Sequence, residues 1–157
     1  NLKLDNPIVV AVDIGISKRA RDMAEKLGVP LAIIEKRRMG NEDKSELLNI
    51  IGDVEGCTAI LMDDEVDTGG TMVNAATALL QAGVKGVYAS STHAVLSGGA
   101  VTKFEESPIH ELVCTDTIPF ISTENTSKIK IVSVDNVIGE AIYRIHRGMS
   151  VGAMFDK

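Results

Sequence analysis

The sequence predicts an α/β domain, a three-layer sandwich around a mostly parallel central sheet. Three observations carry this expectation. From Ile8 to Gln81, apolar runs of strand length alternate with helix-length patterns, the rhythm of βαβ units. The runs Ile8-Val9-Val10-Ala11-Val12 and Ala59-Ile60-Leu61-Met62 are apolar throughout rather than at alternate positions, as strands covered on both faces are. The second run leads into Asp63-Asp64-Glu65-Val66-Asp67-Thr68-Gly69-Gly70-Thr71, an acidic stretch and a Gly/Thr-rich turn before a new helical pattern.

In chain order, residues 8–12 read as a strand, 18–27 as a helix and 31–34 as a second strand. Residues 39–46 are polar and charged, with Gly40 and Asn41, and read as a mobile loop. Residues 59–62 form the next strand, 71–81 a helix and 86–90 a further strand, while 122–128 read as a surface loop. Val134, Val137, Ile138, Ala141, Ile142 and Ile145 follow helical spacing around Asp135, an N-cap or first-turn acid. They predict a terminal helix packed on the sheet. No repeat or interdomain linker interrupts the chain.

Composition bounds the function. At 157 residues and 45% hydrophobic content, residues 1–157 suit a single domain. A net charge of -6 speaks against nucleic acid as a partner, since phosphate-backbone affinity comes from clustered Lys and Arg. Lys36-Arg37-Arg38 is the one short cluster of opposite sign. Cys57 and Cys114 lie far apart, without CxxC or disulfide-scaffold spacing, and read as reduced thiols half-buried in or beside strands. Residues 1–6 hold no apolar signal region, and no stretch of about 18 apolar residues occurs, so a cytoplasmic protein without a membrane partner is expected. The first residue is Asn1 rather than Met, which suggests a fragment or a processed product.

The segment from Ile60 to Met72 is the most informative. At the carboxyl end of a parallel strand, a Gly/Thr turn that opens a helix presents backbone N–H groups and the positive end of the helix dipole to a phosphate dianion. Gly69 and Gly70 let the backbone approach closely, and Thr68 and Thr71 add hydroxyl donors. Asp63 and Asp64 beside such a cradle would be repulsive unless they faced hydroxyls or a divalent cation. A ribose phosphate, with its diol, and Mg²⁺ satisfy both. The plainer alternative is an acidic turn that caps the helix.

This segment resembles the phosphoribosyl-pyrophosphate-binding signature of type I phosphoribosyltransferases and of their relatives, the ribose-phosphate pyrophosphokinases. The signature alone does not choose between them. Further matches do. Leu31-Ala32-Ile33-Ile34-Glu35-Lys36-Arg37-Arg38 resembles the pyrophosphokinase segment AIIDKRR, which begins a flexible catalytic loop, with Glu35 in place of Asp. Val12-Asp13-Ile14-Gly15-Ile16-Ser17-Lys18-Arg19-Ala20 resembles DxGGVxRA, although Ile16 stands where the second glycine would be and Ser17 replaces an apolar residue. Thr92-His93-Ala94-Val95-Leu96-Ser97-Gly98 resembles THGVLSG, and the segment from Glu111 to Pro119 resembles ELVVTDTIP. Ser150-Val151-Gly152-Ala153-Met154-Phe155 resembles a tail, SVSxLF, that contributes to a regulatory phosphate or ADP site in many members, with Gly152 replacing a Ser.

The resemblance implies a type I phosphoribosyltransferase-like fold and Mg²⁺-dependent transfer of pyrophosphate from ATP to the C1 hydroxyl of ribose 5-phosphate. It implies that Lys36 and Arg38 are catalytic, that Arg38, Asp63, Asp64, Asp67, Thr68, Gly69, Gly70 and Thr71 bind ribose 5-phosphate, and that Asp13 holds metal. Asp13 also reads as a helix N-cap, and His93 as a structural or subunit-contact residue. Family members are about twice this length, so the chain reads as the carboxy-terminal half, with an amino-terminal half missing and homo-oligomers, dimers or hexamers, expected. Two other functions remain in view. A nucleobase phosphoribosyltransferase would use the same loop but needs a base-recognition hood, and a non-catalytic regulatory subunit would bind phosphoribosyl compounds.

Overall fold

The computed structural model describes residues 3–38, 46–120 and 126–155. In chain order the elements are β1 (Pro7–Ala11), α1 (Ser17–Leu27), β2 (Leu31–Arg38), β3 (Glu46–Ile51), β4 (Thr58–Val66), α2 (Gly70–Gln81), β5 (Gly86–Ala94), α3 (Ala100–Glu106), β6 (Ile109–Thr115), β7 (Ile129–Val132) and α4 (Asp135–His146). A 3-10 turn over Gly152–Met154 follows. The seven strands make one sheet of order β3-β2-β1-β4-β5-β6-β7. Every neighbouring pair is parallel except β2 with β3.

The continuously apolar runs lie at the centre of this sheet. Val9, Val10, Ala11, Ala59 and Leu61 are fully buried, because helices cover both faces of β1 and β4. α1 packs on β1 and β2, while α2 packs on β4 and β5 and α3 on β6. The strand order grows outward from β1 and from β4 in opposite directions, and with the right-handed crossovers that parallel strands take as a rule, α1 falls on one face and α2 with α3 on the other. Ala20 and Ala24 give α1 a smooth buried side, and Met72, Ala75, Ala76 and Leu79 do the same for α2. α1 stops at Gly28, whose φ of 67° lets its N–H turn back to the Ala24 and Glu25 carbonyls.

Several expectations change. Both central carboxylates and the basic cluster lie within strands rather than after them: β4 continues to Val66 and β2 to Arg38. β3 begins at Glu46, the last residue of the loop expected at 39–46, and residues 39–45 of that loop lie outside the described residues. β7 forms where no strand is predicted. Glu105 secures the approach to it. Hydrogen bonds from the Lys128 N–H at 3.0 Å, the Thr126 hydroxyl at 2.8 Å and both the N–H and hydroxyl of Ser127 hold its carboxyl down to about 2. Of the expected loop at 122–128, residues 126–128 are described and carry no regular structure. Cys57 and Cys114 are free and buried rather than half-buried.

The terminal helix is the largest departure. α4 has no buried residue, so it does not pack on the sheet as its periodicity predicts. It is held at its start, where Asp116 accepts hydrogen bonds from the Ser133 hydroxyl and from the Val134 N–H at 2.9 Å. No helix among the described residues is long and apolar enough to cross a membrane.

Candidate active site

The strand order reverses its direction of growth between β1 and β4, and open α/β sheets bind ligands in the crevice at such a point. The lengths of the two strands create the crevice. β1 pairs with β4 only as far as Ala11 opposite Met62, whereas β4 runs on to Val66 along β5, with Asp63 opposite Ser91 and Glu65 opposite His93. Asp63 and Asp64 are thus carried on a rigid strand whose β1 side is open.

The acids here are not equivalent. Burial, the largest cause, pushes the Asp63 carboxyl up to about 6; the charges of Asp13 and Asp64 add to the rise, while the Asp64 N–H, donating to Asp63 Oδ1 at 2.9 Å, opposes it. Asp64 instead faces the Arg19 guanidinium at 3.2 Å, an exposed pair that orients the two side chains more than it stabilises the fold. Asp13 follows β1 and accepts the Ile16 N–H at 3.2 Å, closing the turn into α1. A Cβ on Gly15 would lie 3.1 Å from Asp13 Oδ1, so that glycine leaves the carboxylate its room. Ile16 is 4% exposed and anchors the turn in the core, which explains an apolar residue there.

Beyond Val66, residues Asp67 to Thr71 form the wall of a cleft of about 160 Å³ that Asp63 and Glu65 also line. Gly69, at φ 74°, is the N-cap of α2, and no side chain among the described residues caps the helix, so its first N–H groups suit an anion. Three contacts from distant segments fix this loop. The Ser97 hydroxyl donates to Asp67 Oδ1, Lys103 Nζ donates to the Thr68 carbonyl at 2.7 Å, and Lys36 Nζ donates to Thr71 Oγ1 at 3.4 Å. The last contact brings a β2 cation to the loop. Arg38 lies on β2 two residues further along, paired with Glu46 of β3.

The sequence model of the phosphoribosyl synthetase-associated domain matches residues 38–156. The chain belongs to that family. A ribose-phosphate pyrophosphokinase from Caldanaerobacter subterraneus is 53% identical over 151 residues, covering 96% of this chain and 48% of the relative. A crystal structure of phosphoribosylpyrophosphate synthetase from Mycobacterium smegmatis aligns with a TM-score of 0.83 at 32% identity, over 92% of this chain and 46% of that one. An orotate phosphoribosyltransferase from Aeropyrum pernix shares the fold, with a TM-score of 0.56 and 18% identity over 87% of this chain and 65% of that one. The chain spans about half the length of the curated relatives it matches.

In this member of the phosphoribosyl synthetase-associated family, the structure brings Asp13 and Lys36, which precede the matched residues, together with Asp63, Asp64 and the loop from Asp67 to Thr71. Sequence reasoning missed Arg19, Ser97 and Lys103, although Arg19 and Ser97 lie inside segments that carry the family resemblance. No segment among the described residues gathers three His, Cys, Asp or Glu side chains into a metal cage. Mg²⁺ does not require one, since it takes one or two carboxylates and completes its shell with water and substrate phosphate.

The raised Asp63 proton affinity has a measurable consequence. An acid whose folded-state value lies above its unfolded value of 3.8 penalises folding increasingly as pH rises towards about 6. Asp63→Asn is therefore expected to raise the melting temperature at pH 7.5 by about 2–4 °C, on the order of 1 kcal/mol after allowing for solvent screening of a half-buried group. The gain should shrink as pH falls through 6 and vanish below about 4. Thermal melts across this range check it, and a pH-independent gain would assign the effect to something other than the charge.

Proposed function

We propose that this chain supplies the ribose 5-phosphate site and part of the catalytic machinery of a ribose-phosphate pyrophosphokinase. In that reaction the C1 hydroxyl oxygen of ribose 5-phosphate attacks the β-phosphorus of ATP. The bond from that phosphorus to the α,β-bridging oxygen breaks, the hydroxyl proton is released to solvent, and phosphoribosyl pyrophosphate and AMP result. One observation carries the reading: Asp63 and Asp64 on an overhanging strand lead directly into an uncapped helix start that a β2 lysine also reaches.

Each residue has a part that follows from its place. The N–H groups and hydroxyls from Thr68 to Thr71 cradle the 5-phosphate, while Asp67, engaged by Ser97, keeps the loop in shape rather than facing a like charge. Asp63 and Asp64 accept hydrogen bonds from the ribose hydroxyls, with Arg19 steering Asp64. Asp13 and Asp63 fit Mg²⁺, because their mutual repulsion is what a divalent cation relieves. When bound, the ion supplies charge neutralisation to the phosphoryl oxygens. Lys36 and Arg38 steady the charge on the group in transit. A reducing, cytosolic compartment suits the two free thiols.

The reading predicts that this chain alone binds ribose 5-phosphate yet makes no phosphoribosyl pyrophosphate. Binding uses residues 13–71, whereas turnover needs ATP held in line with the sugar hydroxyl, and positioning supplies much of the rate in phosphoryl transfer. The ATP-holding part belongs to the length of the relatives that this chain does not match. Incubation with ATP, Mg²⁺ and ribose 5-phosphate, followed by assay of AMP and pyrophosphorylated sugar, tests this. Efficient product formation would place the ATP site within these residues and overturn the division of labour.

A further inference from the structure

α4 carries an apolar stripe that nothing among the described residues covers. At 100° per residue, Val137, Ile138, Ile142 and Ile145 fall within about 140° of arc, wide enough for a core-facing helix surface. Yet Ile138 is 54% exposed, Ile142 62% and Ile145 69%. The neighbouring sheet edge is open too, since β7 is the last strand and its Val132 is 52% exposed.

A helix of 12 residues is marginal in water without packing on something else. α4 nevertheless lies inside the family match, which runs to residue 156, so it belongs to the shared unit rather than to a stray tail. The relatives hold as much polypeptide again as this chain matches. We infer that the apolar face of α4 is an intramolecular docking surface for the part of a relative-length polypeptide that this chain does not match.

The size of the surface favours a tethered occupant over a second copy of this chain. One stripe on a three-turn helix is smaller than the roughly 800 Å² per partner of a stable interface between separate proteins. A covalently joined partner meets it at an effective concentration in the millimolar range, for which a small patch suffices. The ribose 5-phosphate site lies at the carboxyl ends of β1 and β4 and takes no residue from α4, so this docking stands or falls independently of the proposed function.

The test joins the unmatched part of the Caldanaerobacter subterraneus relative to this chain as one polypeptide and compares amide hydrogen exchange over residues 138–146 in the joined and isolated forms. Exchange is expected to slow about 100-fold in the joined form. The double variant Ile142→Glu, Ile145→Glu should abolish that slowing while leaving the melt of the isolated chain unchanged, since both side chains are exposed there. Equal exchange in the two forms, for any reason including failure of the parts to dock, overturns the inference. So does sedimentation showing that the isolated chain is a dimer that the double variant converts to monomer, because a second copy then covers the stripe.

Discussion

Gly69→Ala is expected to cost about 2–4 kcal/mol of unfolding free energy and to weaken ribose 5-phosphate binding by on the order of tenfold or more. Two effects combine at this position. Gly69 holds φ at 74°, a left-handed conformation that costs a residue bearing a Cβ about 1–2 kcal/mol. The added carbon would also lie 2.7 Å from Cε2 of Phe104, a ring that is fully buried between α3 and the sheet and has no room to retreat. Overpacking of that kind typically costs about 1–3 kcal/mol. Binding suffers because the displaced N-cap redirects the first N–H groups of α2. Gly70→Ala is the control: its Cβ would meet only Thr68 Oγ1 at 4.0 Å, an ordinary contact. Denaturant melts of the two variants separate the effects, and a Gly69→Ala cost as small as that of Gly70→Ala would show that neither the ring nor the backbone angle constrains the loop.

Lys36→Ala, made in a relative-length enzyme carrying this chain's residues, is expected to lower turnover by about 100-fold or more. A cation near a transferring phosphoryl group acts on charge that redistributes in the transition state, so its loss appears in kcat. The structure adds a smaller effect on binding. Lys36 Nζ already reaches Thr71 Oγ1 at 3.4 Å, within the loop proposed for the 5-phosphate, so ribose 5-phosphate affinity should fall several-fold as well. Steady-state kinetics with varied ribose 5-phosphate distinguish the two effects. Unchanged turnover would return Lys36 to the role of a solvated charge near the end of β2.

Much of this site was legible because its parts are contiguous. The apolar strand, the acids, the glycine turn and the helix all lie between Ile60 and Met72, and their order alone predicts a phosphate-facing helix start. The sheet was legible for a similar reason, since a strand buried on both faces must be apolar along its whole length. What escaped depends on partners remote in sequence. β4 continues through Asp63 and Asp64 because β5 offers Ser91, His93 and Ala94 as ladder partners, and nothing in an acidic run signals that pairing. Ser97 reaches Asp67 across 30 residues, and Lys103 reaches Thr68 across 35. α3, with seven residues, and β7, with four, are too short for periodicity to mark. α4 misled in the opposite direction: its periodic stripe marks an apolar face but does not say whether that face meets this sheet.

The turn from Asp67 to Thr71 is proposed to receive the phosphate of ribose 5-phosphate. Amide chemical shifts recorded during titration with ribose 5-phosphate, and in parallel with ribose, test it most directly. The largest shifts are expected on Thr68 to Thr71 and only when the phosphate is present. Thr71→Ala should weaken the fitted affinity by about 1.5–3 kcal/mol, the usual contribution of a hydrogen bond to a charged group, and Asp67→Ala should weaken it by freeing the loop that Ser97 holds, while both variants remain folded. Shifts confined to other segments, or affinity unchanged in both folded variants, would contradict it.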